Sequence, residues 1–198
     1  AGQDLHDAAC QIGRAALGET PNVLIGHSFG ATVALRLALE APERVRLLVL
    51  IEPVLFCAAR GMPEYEDFVE AYASVHSAMM SNSATAASLF HRMWGHGDFA
   101  RLPPTQQAYM AARMPLVAAQ DAVLVEDRER LLAPGRLEAL DLPVLLLEGA
   151  QSPPIVAAIQ SVLAARLPRV KRAIVPGAAH MLPITHPREV AELIRASL

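Results

Sequence analysis

Ser28, His180 and Glu52 carry a hydroxyl, an imidazole and a carboxyl, the side-chain types that nucleophilic and acid–base chemistry uses. Ser28 lies in Val23-Leu24-Ile25-Gly26-His27-Ser28-Phe29-Gly30-Ala31, where a short apolar run ends in glycine and a helical apolar pattern begins at once. A serine between two glycines in a strand, tight turn, helix context is a setting that holds a hydroxyl clear of a sheet for nucleophilic attack. Such a turn strains the serine backbone, and a β-carbon at Gly26 or at Gly30 is expected to crowd it or the helix behind it. The first N–H groups of that helix, and its dipole, favour negative charge developing beside the hydroxyl. The competing reading is an ordinary strand-to-helix turn that contains a serine. His180, in the loop Pro176-Gly177-Ala178-Ala179-His180-Met181, offers a base. Glu52 directly follows the apolar run Val45–Ile51 and offers an acid, with a solvated loop glutamate as the alternative.

The elements that must hold these residues follow from periodicity. Leu5, Ala8, Ala9, Ile12, Ala15 and Ala16 fall three and four apart, which predicts a helix over 4–17 ended by Gly18. Pro21-Asn22 opens a strand at 23–25, and residues 31–39 read as a helix apolar on most sides that stops before Ala41-Pro42. The Val45–Ile51 run is nearly continuous in Val and Leu, as in a parallel strand covered on both faces. Strand, helix and strand at this length make a right-handed crossover, and Glu52 then stands at the sheet edge where ligands collect. Residues 144–147 return to the sheet, with Glu148-Gly149-Ala150-Gln151-Ser152 as the loop beyond. Ser152 is expected to N-cap a helix that continues through Pro153-Pro154 towards Leu167. A last strand at Val170–Val175 leads into the histidine loop. Pro187 opens a closing amphipathic helix with Val190, Leu193 and Ile194 on one face.

From about residue 54 to 139 strand signals vanish. Candidate helices at 64–79, 84–94, 104–113, 116–124 and 127–132 alternate with Gly, Pro and Ser breaks. This segment holds Met62, Met79, Met80, Met93, Met110 and Met114, the single Trp94 and most of the aromatics. Adaptable apolar residues of this kind suit a lid over an apolar pocket, though most of them taken singly are better explained as packing of the segment's own core. His91, His96 and Asp98 cluster around Trp94, but they lack helical i, i+4 spacing and a further strong ligand, so no metal is expected there. Local hydrogen bonding accounts for such loops, and His76 reads as an exposed or capping residue.

The chain of 198 residues is 53% hydrophobic and 19% charged, with a formal net charge of −3. Such a balance gives no pull towards nucleic acid or an anionic membrane, and no basic cluster is interleaved with aromatics. The apolar runs are broken by charge well short of a membrane span. Cys10 and Cys57 are too few for a disulfide framework; they read as small buried hydrophobes in a reducing compartment, and a cytoplasmic location is expected. The chain opens on Ala1-Gly2-Gln3-Asp4 at the start of a helix, which leads to the expectation that it belongs to a longer parent.

The elbow Gly26-His27-Ser28-Phe29-Gly30, the junction at Glu52, the loop Gly177-Ala178-Ala179-His180 and the closing Ile184-Thr185-His186-Pro187-Arg188-Glu189-Val190 resemble the α/β-hydrolase superfamily, in its lidded, serine-nucleophile, esterase-like branch. The chain order, serine first and histidine last, is also similar. The resemblance implies a mostly parallel sheet flanked by helices, with core at 1–52 and 141–198 and a helical lid at 53–140. It implies Ser28 as nucleophile, His180 as base, the Phe29 N–H in the oxyanion hole, and His27, Trp94 and Met181 at the substrate, with no cofactor. Two departures stand out. The family's earlier strands, and the loop giving the second oxyanion donor, have no counterpart here; those strands would pair beside 23–25. The family's acid most often comes in a Gly-x-x-Asp pattern, where this chain has Gly149-Ala150-Gln151-Ser152. Some members take the acid from the end of the preceding strand, which favours Glu52 over its competitor Glu148. The expected reaction is hydrolysis of a small, mostly apolar carboxylic ester. C–C hydrolysis, perhydrolysis or lyase chemistry on the same triad, or a non-catalytic binding protein on this scaffold, are the alternatives. A serine at the elbow argues against the dehalogenase and epoxide-hydrolase branches, which use aspartate there.

Overall fold

Every residue of Val45–Ile51 except Arg46 is buried, as a strand with neighbours on both edges and layers on both faces requires. In the computed structural model, which describes residues 4–198, this strand (β2) lies between β1 (Asn22–His27) and β3 (Val144–Gly149), and β4 (Val170–Val175) completes the sheet. All neighbours are parallel and follow chain order. The register pairs His27 with Ile51, Ile51 with Leu147, and Gly149 with Val175. Every strand therefore delivers its following loop to the same edge. Ala1-Gly2-Gln3 lie outside the described residues.

Alternation along the strands sorts the core into two layers. Leu48, Leu50 and Leu146 face α2 (Phe29–Glu40) and α8 (Pro154–Arg166), with Leu35, Ala38, Ile159 and Leu163 packed against them. Leu47, Val49, Ile51, Leu145 and Leu147 face the other way, where α10 (Pro187–Arg195) lays down Val190, Leu193 and Ile194. The remaining scaffold helix, α1 (Leu5–Ala16), is capped by the Asp4 carboxylate and packs on α2. β1 is an edge strand, and its Ile25 is 50% exposed.

Between β2 and β3 run α3 (Pro63–Met79), α4 (Ser83–Trp94), α5 (Pro104–Ala111), α6 (Met114–Ala118) and α7 (Asp121–Leu124). Their core is aromatic. Phe56 stacks on Phe68 at 4.2 Å, Phe68 on Tyr72 at 5.1 Å, and Trp94 closes against Phe56 at 5.9 Å. Met62, Met79, Met93 and Met110 are partly buried against the main hydrophobic core, to which these rings belong, and Met114 is buried in it, whereas Met80 is exposed. No helix among the described residues is long and apolar enough to cross a membrane.

The structure corrects several expectations. Residues 127–132 form turns rather than a helix, because Asp127 (φ 52°) and Arg130 (φ 53°) are left-handed. The Asp127 carboxylate accepts the N–H groups of Leu131 at 2.7 Å and Leu132 at 3.0 Å, so side-chain hydrogen bonds replace the helical ones. The helix expected over 116–124 divides into α6 and α7. A further turn of helix, α9 (Leu182–Thr185), follows the histidine loop. Ser152 does not cap α8: that place falls to Pro153, and the serine hydroxyl turns to Glu52 instead. At the elbow only one glycine is sterically required. A β-carbon on Gly26 would stand 2.3 Å from the Gly30 carbonyl oxygen, whereas one on Gly30 would meet nothing within 4 Å.

Candidate active site

Ser28 stands between the end of β1 and the start of α2 with φ 55° and ψ −126°, a conformation that costs an L-residue energy and persists only where its surroundings hold it. Here the Ser28 N–H donates to Ile51 O at 2.9 Å, and its carbonyl accepts the Ala31 N–H at 2.9 Å. The absent β-carbon at Gly26 leaves room for the start of α2 to fold back against β1. Phe29 is the first residue of α2, so its N–H has no partner within the helix. The Thr32 hydroxyl, donating to the Phe29 carbonyl at 2.7 Å, pins that first turn.

The Ser28 hydroxyl oxygen lies 3.0 Å from His180 Nε2, and His180 Nδ1 lies 2.7 Å from Glu52 Oε2. Glu52 is fully buried and also left-handed (φ 48°). Its Oε1 accepts the Gly149 N–H at 2.7 Å and the Ser152 hydroxyl. Glu148 is engaged elsewhere: Arg172 donates to it from Nε at 2.8 Å, and the guanidinium Nη2 pairs with the same oxygen at 2.6 Å. Burial pushes the Glu148 carboxyl up, and the Arg172 guanidinium opposes that. A carboxylate held at 2.7 Å fixes an imidazole's tautomer and rotation, and leaves Nε2 free to accept a proton from the serine.

The loop carrying His180 is tied down on two sides. Gln151 N–H donates to Ala178 O at 2.8 Å, and Gly149 allows an approach so close that its β-carbon would stand 2.4 Å from that same oxygen. From β1, His27 Nε2 donates to the His180 carbonyl at 2.8 Å, which makes Nε2 the protonated nitrogen of a neutral His27. Burial holds His27 below the ordinary histidine range, and a charge on His180 would lower it further.

The serine opens on a cavity of about 480 Å³. Trp94 forms part of its wall with its ring 4.8 Å from that of His180, and Phe56, Tyr72, Met110 and Val117 also line it. His27, Trp94 and Met181, expected at the substrate, all line this cavity. His91 and His96 line it too, while Asp98 turns to the Ala100 N–H at 3.0 Å; His91 Nε2 is buried without a partner among the described residues. His76, as expected, is exposed, and it pairs with Asp121 at 2.8 Å. Cys10 is buried and Cys57 partly so, and burial pushes both thiols up, Cys10 to about 11 and Cys57 to about 12. Sequence reasoning missed Ser152, Gly149, Phe56 and Tyr72. The spacing of Phe68 and Tyr72 on α3 carried a signal for the wall, but nothing local marked the Ser152 hydroxyl.

A parallel sheet with this elbow, acid and histidine loop defines a hydrolase scaffold, and the chain belongs to the alpha/beta hydrolase family, whose sequence profile matches residues 1–193. It is 29% identical over 185 residues to RutD of Klebsiella pneumoniae (strain 342), which carries the provisional name of a carbamate hydrolase. The match covers 86% of this chain and 63% of that protein, so the chain spans less than two thirds of that relative's length. Among solved structures it is similar to Est816, described as an N-acyl homoserine lactone degrading enzyme (TM-score 0.68, 21% identity, 100% of this chain and 76% of that one). It is equally similar to a thermophilic esterase (TM-score 0.68, 22% identity, 99% and 73%). At these identities the structural likeness speaks for the fold.

Proposed function

We propose that the protein is a serine hydrolase that cleaves a small, mostly apolar carboxylic ester or related acyl compound through an acyl-enzyme. The observation that carries this reading is the unbroken contact from Ser28 to His180 (3.0 Å) to Glu52 (2.7 Å) at the floor of an apolar cavity. His180 takes the hydroxyl proton as Ser28 attacks the acyl carbonyl, and Glu52 stabilises the imidazolium that forms. The Phe29 N–H at the start of α2 donates to the oxyanion, a contribution of about 3 kcal/mol per donor in such sites. His180 then returns the proton to the leaving alcohol. Water, deprotonated by the same imidazole, releases the acid. His27 stays neutral beside the imidazolium because burial opposes its charging, so its hydrogen bond to the His180 loop persists through the cycle. The insertion at 53–140 acts as the lid that keeps bulk water from the cavity.

A carbamate is the second substrate class, favoured by the name of the Klebsiella relative; its carbonyl would meet the same serine and oxyanion donor. Turnover of p-nitrophenyl butyrate and of an N-alkyl p-nitrophenyl carbamate by the whole protein, with fluorophosphonate labelling of Ser28, tests the reading. Absence of labelling in folded protein would sink it and leave a binding protein on a hydrolase scaffold.

A further inference from the structure

A glutamate's terminal torsion is soft, so nothing in the Glu52 side chain itself decides which way its carboxylate faces. At 0% exposure no bulk water supplies hydrogen bonds either. The orientation comes from the Oε1 side, where the Gly149 N–H and the Ser152 hydroxyl both donate and leave Oε2 to His180. The geometry points to Ser152 as a positioning residue for the acid: its hydroxyl holds the Glu52 carboxylate in the plane that serves His180. This inference rests on the Ser-His-Glu reading above.

The loop after β3 supports both partners of that contact. Gly149 and Ser152 hold the acid that β2 supplies, while Gln151 between them holds the Ala178 carbonyl of the loop that supplies His180. Acid and base reach each other from strands that are not neighbours, so a loop from the strand between them can fix their relative position. The charged and titratable groups around the pair are His27 at the end of β1, Glu148 on β3 with Arg172 on β4, and, lining the cavity, His91, His96, Tyr72 and Asp121 with its partner His76.

The test replaces Ser152 in the whole protein by Ala, Thr and Val, with Ser28→Ala and Glu52→Gln as references and thermal unfolding to confirm folding. Ser152→Ala is expected to lower kcat about 10- to 100-fold with KM changed by less than about threefold. The acidic limb of kcat/KM against pH moves as well, because the Ser152 hydroxyl sets how the Glu52 carboxylate faces the imidazole. Ser152→Thr restores both rate and limb, whereas its isostere Ser152→Val does not. If the alanine variant fails to fold, the Thr and Val pair still isolates the hydroxyl. Wild-type kcat and an unmoved limb in Ser152→Ala, or a loss that Thr fails to recover, overturn the inference. Full activity in Glu52→Gln would instead overturn the triad reading beneath it.

Discussion

The carboxyl edge of the sheet and the helical insertion meet at one cavity, but different forces hold them. At the edge, Ser28 and Glu52 sit in left-handed backbone, and hydrogen bonds of 2.7–3.0 Å run from strand to strand through Glu52, Gly149, His180 and Ser28. Across the cavity, Phe56, Phe68, Tyr72 and Trp94 touch through ring faces and edges, and Met62, Met93 and Met110 are partly buried against the same hydrophobic core. Directional contacts fail abruptly when one atom is removed, whereas dispersion contacts among flexible side chains repack. The edge is therefore suited to fixing reacting atoms and the insertion to accommodating a substrate.

Substitution on the two sides should separate these properties. The largest effects belong to the edge: Ser28→Ala and His180→Ala should each lower kcat by on the order of 10⁴-fold or more, and Glu52→Gln by about 10²- to 10⁴-fold, in a p-nitrophenyl ester assay. An insertion variant with losses of that size would erase the contrast. Gly26→Ala should destabilise the fold by more than about 3 kcal/mol in urea unfolding, because its β-carbon would meet backbone at 2.3 Å and 2.6 Å. Gly30→Ala, facing open space, should cost less than about 1 kcal/mol. Trp94→Leu should raise KM about tenfold and shift the preferred acyl length, with kcat within about threefold; Met110→Leu should change neither by more than about twofold.

The smallest expected effect is on the pH dependence of stability. His6 is buried against Arg36 and Thr32, and burial followed by the Arg36 charge holds it below 6.5. Below pH 6.5 the unfolded chain takes up a proton that the folded chain refuses, so stability falls with pH until the depressed native value is passed. His27 contributes with the same sign. His6→Gln should flatten the curve of urea midpoint against pH over that window, and an unchanged slope would remove His6 from the account.

Much of the scaffold was legible because its rules are local. Val45–Ile51 and Val170–Val175 are strands at the residues where apolar pattern and flanking turns put them, and Pro187 opens the closing helix. The insertion was legible as helices but not in its breaks. Asp127, a tolerable first residue for the helix expected over 127–132, uses its carboxylate on the Leu131 and Leu132 N–H groups, and turns form there in place of a helix. Ser152 misled in the same way: serine before two prolines reads as an N-cap until a buried carboxylate competes for its hydroxyl.

The sequence by itself determined the strands, the strained elbow at Ser28 and the delivery of His180 and Glu52 to one sheet edge, since strand polarity and turn chemistry reside in neighbouring residues. Only the tertiary structure decided that Glu52 rather than Glu148 faces His180, that Ser152 and Gly149 hold its other oxygen, and that Gly26 but not Gly30 must lack a side chain. These outcomes depend on which groups from distant segments arrive within about 3 Å of one another, and a hydrogen bond or a steric clash is settled at that distance.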